Sequence, residues 1–441
     1  VDANLCLSGF ADRVKRSKLC KIDGWYKVRT YAHFDNPVDY ETTLAYVSDP
    51  AKVAVHPFKP FLTFTKHERH FSVASGQTVP SPTSKSRSFA TPAHLDGNVF
   101  SWYAKILSQQ YEALIASHGL DSSVLAYRPG ATAVVYMAKQ ALADIASRPA
   151  CLVIAADIEK FVPSIDHAHL KEDWARVIQQ KGLPRDHYAV FKAVTRYASV
   201  DRAACMAALK IDAKLGHFPR PLCSGSRFRR LIREAGLIDV NTKAYGLPQG
   251  CQLSAILSNI AMLRFDESML LIASALGGSY RRYCDDILLI LGPEASPDDV
   301  ISQIQAALRR QGPSLKLNSE KTEVVSFARD ADGWLRSSCE KGVQYLGFTF
   351  DGQRVLIRSR TTSKYVRRMK YAARKAEKAA AAMGTKMFRR SILRRFSPLG
   401  NNNFLSRHVR LSQKVMPGDH IRRQFRRQVR LLLKSPPSGP R

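Results

Sequence analysis

The chain has 441 residues, 45% of them hydrophobic and 24% charged, which excludes wholesale disorder and leaves room for two or three domains. Its 68 Lys and Arg face 37 Asp and Glu, for a formal net charge of +31. Such an excess repels itself in a compact fold and ordinarily exists because a polyanion neutralises it, nucleic acid first and an anionic membrane surface second. No apolar run comes near the ~20 residues that cross a bilayer; those present, Ile287–Leu291 among them, are strand-sized, so no membrane partner is expected. Val1–Cys20 shows no basic segment followed by an apolar one, the pattern of a secretory signal. The eight cysteines are dispersed without a C-x-x-C pair. That argues against zinc and against a disulfide framework, and sets a reducing cytoplasm as the expected location.

In chain order, residues 1–84 read as an N-terminal extension. Ser72–Pro92, rich in Ser, Thr and Pro, is expected to be a loop. Leu152–Ala156 is a continuous apolar run, a buried strand that ends at Asp157. Asp166 is placed to cap a helix carrying Leu170, Trp174, Val177 and Ile178 on one face and stopping near Gly182. Leu253, Ile256, Leu257, Ile260 and Leu263 mark another amphipathic helix. Tyr280–Tyr283 and Ile287–Leu291 flank Cys284-Asp285-Asp286, a hairpin with carboxylates near its tip. A further helix carries Ile301, Ile304, Ala307 and Leu308. Strands and helices mixed in this way predict an α+β fold.

From Asp351 to Arg441 there are 25 Lys or Arg against 3 Asp or Glu, a surplus of 22. Two helices are read there. One, in Tyr365–Met383, sets Val366, Met369, Ala373, Ala376 and Ala380 among basic residues; the other, Ile421–Leu433, carries the stripe Ile421, Phe425, Val429, Leu432. Solvated helix faces would account for either helix alone; a surplus this one-sided points to a nucleic-acid surface. The last residues, SPPSGPR, read as a frayed tail.

Consecutive aspartates at a hairpin tip repel one another and need cations or solvent. If the strand ending at Asp157 neighbours that hairpin, three carboxylates meet at one end of a sheet. Hard oxygen ligands of this kind suit Mg²⁺, and two such ions roughly 3.5–4 Å apart serve an in-line phosphoryl displacement. An isolated Asp-Asp between strands is more often a polar turn.

The surrounding segments bear on that choice. DIEKFVPSID at Asp157–Asp166, GLPQGCQLSAILSN at Gly246–Asn259, YCDD at Tyr283–Asp286, LKLNSEKT at Leu315–Thr322 and YLGF at Tyr345–Phe348 together resemble the reverse-transcriptase family, in family order. KSRSFATPAHLD at Lys85–Asp96 and YRPG at Tyr127–Gly130 look like its fingers-side motifs. The resemblance implies a right-hand polymerase: fingers and palm over residues 85–350, with an antiparallel palm sheet, and a basic helical thumb over residues 351–441. It implies that Asp157, Asp285 and Asp286 hold two Mg²⁺ ions, with the Ile158 carbonyl facing a metal. Lys85 and Arg87 match the residues that bind the incoming triphosphate. Gln249-Gly250 match the turn that approaches template and nucleotide, and Lys321 the lysine proposed to protonate the pyrophosphate. Tyr345-Leu346-Gly347 match the hairpin that grips the primer. Solvated cations remain open as readings of Lys85, Arg87 and Lys321, and a core role for Leu346 and Phe348.

One position departs from the family pattern. Five residues after the first aspartate the family usually has Phe or Tyr, which crowds a ribonucleotide's 2′-hydroxyl; here it is Val162. Weaker exclusion of ribonucleotides is expected unless Phe161 or a neighbour takes the task.

No RNase H, integrase or maturation-domain pattern follows YLGF, and the Val-Thr-Gly signature of retron enzymes is replaced by RVLIRSRTTSKYVRR. The chain looks like the bacterial defence-associated reverse transcriptases, the type 2 group in particular. That implies a structured noncoding RNA as template and scaffold, dNTPs as substrates, a complementary DNA product, and a monomeric ribonucleoprotein acting in antiphage defence. The competing readings are an RNA-templated RNA polymerase, which usually has Gly where this chain has Cys284, and a catalytically retired RNA-binding scaffold.

Overall fold

The computed structural model describes residues 24–72, 81–130, 133–212, 221–385, 389–401 and 403–433. The SPPSGPR tail lies outside them. No helix among the described residues is long and apolar enough to cross a membrane. Strands and helices are mixed along the chain, as an α+β fold requires. The described residues gather into two compact units: those within 24–117, 160–263 and 311–314 form the first, and those within 118–159, 264–310 and 315–433 the second.

In the first unit, Phe61–Ser72 pairs antiparallel with Ser81–Thr91 from Leu62↔Thr91 to Ser72↔Ser81. Ala198–Asp201 and Asp239–Val240 extend the sheet from the other side of Phe61–Ser72. Of the loop expected over Ser72–Pro92, residues 73–80 lie outside the described residues, and Ser81–Thr91 is a strand. Ser-Lys-Ser-Arg-Ser lacks the apolar alternation that advertises a strand, but an edge strand needs only one paired side. Phe64 and Phe89 stack across the pair with ring centroids 5.7 Å apart.

The N-terminal extension is tied to the helix His94–Ser117. Arg29 is buried and donates to Asn98 Oδ1, to the Gly97 carbonyl at 2.7 Å and to Ser101 Oγ at 2.9 Å. A Cβ on Gly97 would lie 2.9 Å from the guanidinium, so any larger residue there would displace Arg29 from this position. Asp35 accepts from the amides of His94 and Leu95 at the start of the same helix. Burial works to raise the Asp35 carboxyl, yet its hydrogen bonds with the His94 ring and the two amides bring it down to about 2.

In the second unit, five strands pair antiparallel in the order Ser279–Tyr283, Asp286–Leu291, Ala150–Asp157, Glu323–Arg329, Leu335–Ser337. Ala150–Asp157 is central, which is why its interior is buried on both faces and reads as a continuous apolar run. A smaller sheet of Val343–Tyr345, Phe348–Phe350 and Val355–Ile357 follows. Among the described residues the helices Ser359–Ala382, Arg389–Phe396, Phe404–Val415 and His420–Leu433 come next. Met369, Val409 and Phe425 from these helices join Val153, Leu288 and Phe327 of the large sheet in one hydrophobic core. Burying each such side chain contributes roughly 1.5–3 kcal/mol. The basic residues of the last helix, Arg422, Arg423, Arg426 and Arg427, stay exposed, while Ile421 and Phe425 turn inward.

The carboxylate hairpin carries a buried ion pair at its base. Arg282 and Asp266 are both fully inaccessible and meet through two hydrogen bonds of 2.7 Å. Tyr280 Oη also donates to Asp266, at 2.6 Å. The backbone of Arg282 donates to Ser123 O and accepts from Leu125 N, which locks the 120s segment alongside. A buried pair of this kind adds little net stability while intact, but breaking it strands a charge. Asp266→Ala should therefore destabilise the protein by about 3–5 kcal/mol, read as a lowered urea midpoint; an unchanged midpoint would show that the pair is dispensable.

Candidate functional site

Asp157 ends the central strand, and its register partner on the neighbouring strand is Asp286. Beyond that rung, Ile158 N donates to Asp285 O at 3.0 Å, Asn318 N to Asp157 O at 2.8 Å, and Glu159 N to Lys316 O at 2.8 Å. The sheet thus brings Asp157, Ile158, Asp285 and Asp286 together at one end, and the 316–318 segment holds them there. Ile158 itself is buried at 1% exposure.

The turn between the hairpin strands is Cys284-Asp285, with Tyr283 opposite Asp286. Cys284 has φ of 59°, the left-handed region that side chains other than glycine's enter at a cost. Two contacts hold it: Arg282 Nη1 donates to Cys284 O at 3.0 Å, and Tyr127 Oη donates to Cys284 Sγ at 3.4 Å. Tyr127 belongs to the YRPG segment, and its hydroxyl packs against the carboxylate turn.

Asp286 is pushed up to about 6, by burial first and then by the negative charges of Asp285 and Asp157; Arg358 and Lys321 pull the other way. Lys321, in the short helix Ser319–Lys321, seats its ammonium on Asp157 Oδ2 and is half exposed. Among the described residues no three His, Cys, Asp or Glu side chains form a ready-made metal cage. The donors nonetheless fit Mg²⁺, which takes one or two carboxylates and completes its shell with water and phosphate oxygens. They are all oxygens, burial and the charges of Asp285 and Asp157 hold the Asp286 carboxyl up, and a cation, the Lys321 ammonium, already sits on Asp157.

The Leu346-Gly347 turn joins Val343–Tyr345 to Phe348–Phe350, with φ of 45° and 92°. Tyr345 and Phe348 are buried in the shared core, and Leu346 is partly buried against it. Of the expected primer-grip residues, Leu346 and Gly347 therefore form the accessible part.

The remaining expected residues lie in the first unit. Lys85 and Arg87 are two apart on Ser81–Thr91, opposite Glu68 and Lys66. Arg87 is exposed; the side chain of Lys85 lies outside what the structure describes. Ala90 N of the same strand donates to Gln249 O at 2.7 Å. Gly250 has φ of 104°, and a Cβ there would meet Ala90 O at 3.0 Å, so glycine is required by both conformation and space. The strand and the Gln249-Gly250 turn are thereby brought together. Val162 starts a short helical turn and is half-buried, its carbonyl accepting from Leu247 N at 3.1 Å. Phe161 is buried at 4% exposure.

Sequence reasoning missed Asp266, Arg282 and Arg358. A signal for Arg282 was present: in Tyr280–Arg282 it occupies the same strand face as Tyr280, the buried one, and a charge at a buried position demands a partner.

The family described as reverse transcriptase (RNA-dependent DNA polymerase) matches residues 99–350. The chain belongs to that family. The match takes in the three aspartates, Val162, Gln249, Gly250, Lys321 and the Tyr345–Gly347 hairpin; Lys85, Arg87 and the basic C-terminal helices lie outside it. Among solved structures the chain is similar to apo telomerase from Candida tropicalis truncated from its C-terminal domain (TM-score 0.38, 13% identity, covering 71% of this chain and 58% of that one). It is likewise similar to Candida tropicalis telomerase in complex with a TWJ fragment of telomeric RNA (TM-score 0.38, 13% identity, 85% and 55% covered). The Candida albicans telomerase complex gives a TM-score of 0.38 at 14% identity, with 94% and 65% covered. The chain thus spans between 55% and 65% of the length of these proteins. No curated protein matches it.

The raised Asp286 carboxyl makes a testable sign. In the metal-free protein it favours folding below the unfolded value of 3.8, and that contribution is lost as pH rises through about 6. Urea unfolding followed across this window should show stability falling with pH from this group, and Asp286→Asn should flatten that component. An identical pH slope in wild type and variant would contradict it.

Proposed function

We propose that the chain is an RNA-directed DNA polymerase whose reaction centre is the Asp157, Asp285 and Asp286 cluster. The observation that carries this reading is the register Asp157↔Asp286 on two central strands, with Asp285 in the adjoining turn. Two Mg²⁺ ions bound by these carboxylates would supply the charge that lowers the pKa of a primer 3′-hydroxyl and stabilises leaving pyrophosphate. Lys321, whose ammonium sits on Asp157, gives a proton to that leaving group in this reading. Lys85 and Arg87 bind the triphosphate of an incoming dNTP, and the Gln249-Gly250 turn lets the pairing bases approach the backbone. Leu346-Gly347 bear on the primer end.

The basic helices after Ser359 hold a structured noncoding RNA that serves as template and scaffold. Their exposed arginines favour backbone and shape recognition over base readout. Complementary DNA is the product, made in the cytoplasm by a monomeric ribonucleoprotein of the bacterial defence-associated kind, type 2 in particular. Sugar selection is relaxed in this reading: Val162 is small, and Phe161 is committed to the core.

Extension of a primed RNA template with dNTPs and Mg²⁺ tests the assignment. The double variant Asp285→Ala, Asp286→Ala should fall to the level of a protein-free control; incorporation that survives would remove the catalytic reading and favour a scaffold. With rNTPs, wild type should incorporate measurably, and Val162→Phe should lower that rate by roughly tenfold or more, the scale of a steric misfit in a pocket. Full discrimination by wild type would refute the relaxed gate, while rNTP use in preference to dNTPs would favour an RNA polymerase.

A further inference from the structure

We propose that Arg358 binds a backbone phosphate of the primer strand near its 3′ end; this rests on the polymerase reading above. The smaller sheet fixes the position of this residue. Phe348 pairs with Ile357, so Arg358 lies one step beyond the last rung, beside the turn that joins the first two strands. There its amide donates to Gly347 O at 2.9 Å. Its backbone is held from the other side as well: Gln424 accepts from Ile357 N at 3.1 Å and donates to Ile357 O at 2.7 Å.

The side chain is not held in the same way. Arg358 is exposed, and among the described residues no carboxylate forms an ion pair with it. Nearby arginines differ: Arg354 bonds Asp351 at 2.7 Å, and Arg282 is locked on Asp266. Gly347 leaves the surface beside Arg358 open, since a Cβ there would meet nothing within 4 Å. Arg358 also lies close enough to Asp286 for its charge to act on that carboxylate. A guanidinium on a rigid backbone stem, between the primer-facing turn and the reaction centre, is disposed to take phosphate oxygens in a forked geometry. A strand whose 3′-hydroxyl meets the aspartates has its last phosphodiesters in this neighbourhood. The leaving pyrophosphate is the competing anion.

The test uses the full chain and a fluorescent primer–template carrying one uncharged methylphosphonate at each terminal primer linkage in turn, with binding read by anisotropy without nucleotides. Wild type should lose affinity at one linkage by about five- to tenfold. Arg358→Gln should weaken the unmodified primer by a similar factor, show no further loss at that linkage, and bind with a salt slope shallower by about one. Arg358→Lys should recover part of the affinity. Additive losses at every linkage, or wild-type binding by Arg358→Gln, overturn the proposal, as does a variant changed only in inhibition by pyrophosphate. Binding needs no chemistry, so the two failures are told apart: a wild type that binds but never extends counts against the polymerase reading, and unchanged binding by Arg358→Gln counts against this one.

Discussion

Asp157 and Asp286 face one another across a ladder whose other rungs are aliphatic: Leu152↔Leu291, Val153↔Ile290 and Ile154↔Leu289. The aliphatic rungs are what hold the two carboxylates together. Strand pairing and core burial fix the register, and the register leaves no freedom to move one aspartate away from the other, because a slip by one residue would turn the apolar set outward. Burial first, and the repulsion from Asp285 and Asp157 after it, push the Asp286 carboxyl up to about 6. Everything else near this end of the sheet supplies compensation: the Lys321 ammonium, the Arg358 guanidinium, and a turn held by Arg282 and Tyr127 in a conformation it would not choose unaided.

Such a site is stable only on a rigid base, and the base is charged too. The Arg282–Asp266 pair has no exposure, yet it reaches the carboxylate turn through one hydrogen bond to the Cys284 carbonyl. A hydrophobic pair of the same volume would fill the space as well and leave that carbonyl without its donor. The Gln249-Gly250 turn in the first unit is held differently, by close backbone contact with Ala90.

Much of this was legible in the sequence. The strand ending at Asp157, the hairpin around Asp285-Asp286, the cap at Asp166 and both long basic helices follow from local periodicity and end signals, and all are observed. The helix read over Leu253–Leu263 is broken, with Gln252–Ile260 followed by Leu263–Ala275, because the apolar pattern carries across the break. Ser81–Thr91 failed because its strand character comes from a partner strand and not from its own alternation. Asp266 and Arg358 were invisible for a related reason. Their roles depend on contacts with residues far along the chain, and an arginine among 68 basic residues carries no mark of where its guanidinium points.

The closing helices share their hydrophobic core with the sheet that carries the aspartates, Phe425 and Val409 packing in one cluster with Val153 and Leu288. The crowded positive charges on their outer faces therefore strain the same cooperative unit that keeps the carboxylates in register. Added salt, or any polyanion laid over those faces, relieves that strain by screening or by mass action. Tightness of the sheet and occupancy of the basic surface are in this way two readings of one equilibrium, so a bare chain is expected to be looser around its aspartates than a coated one.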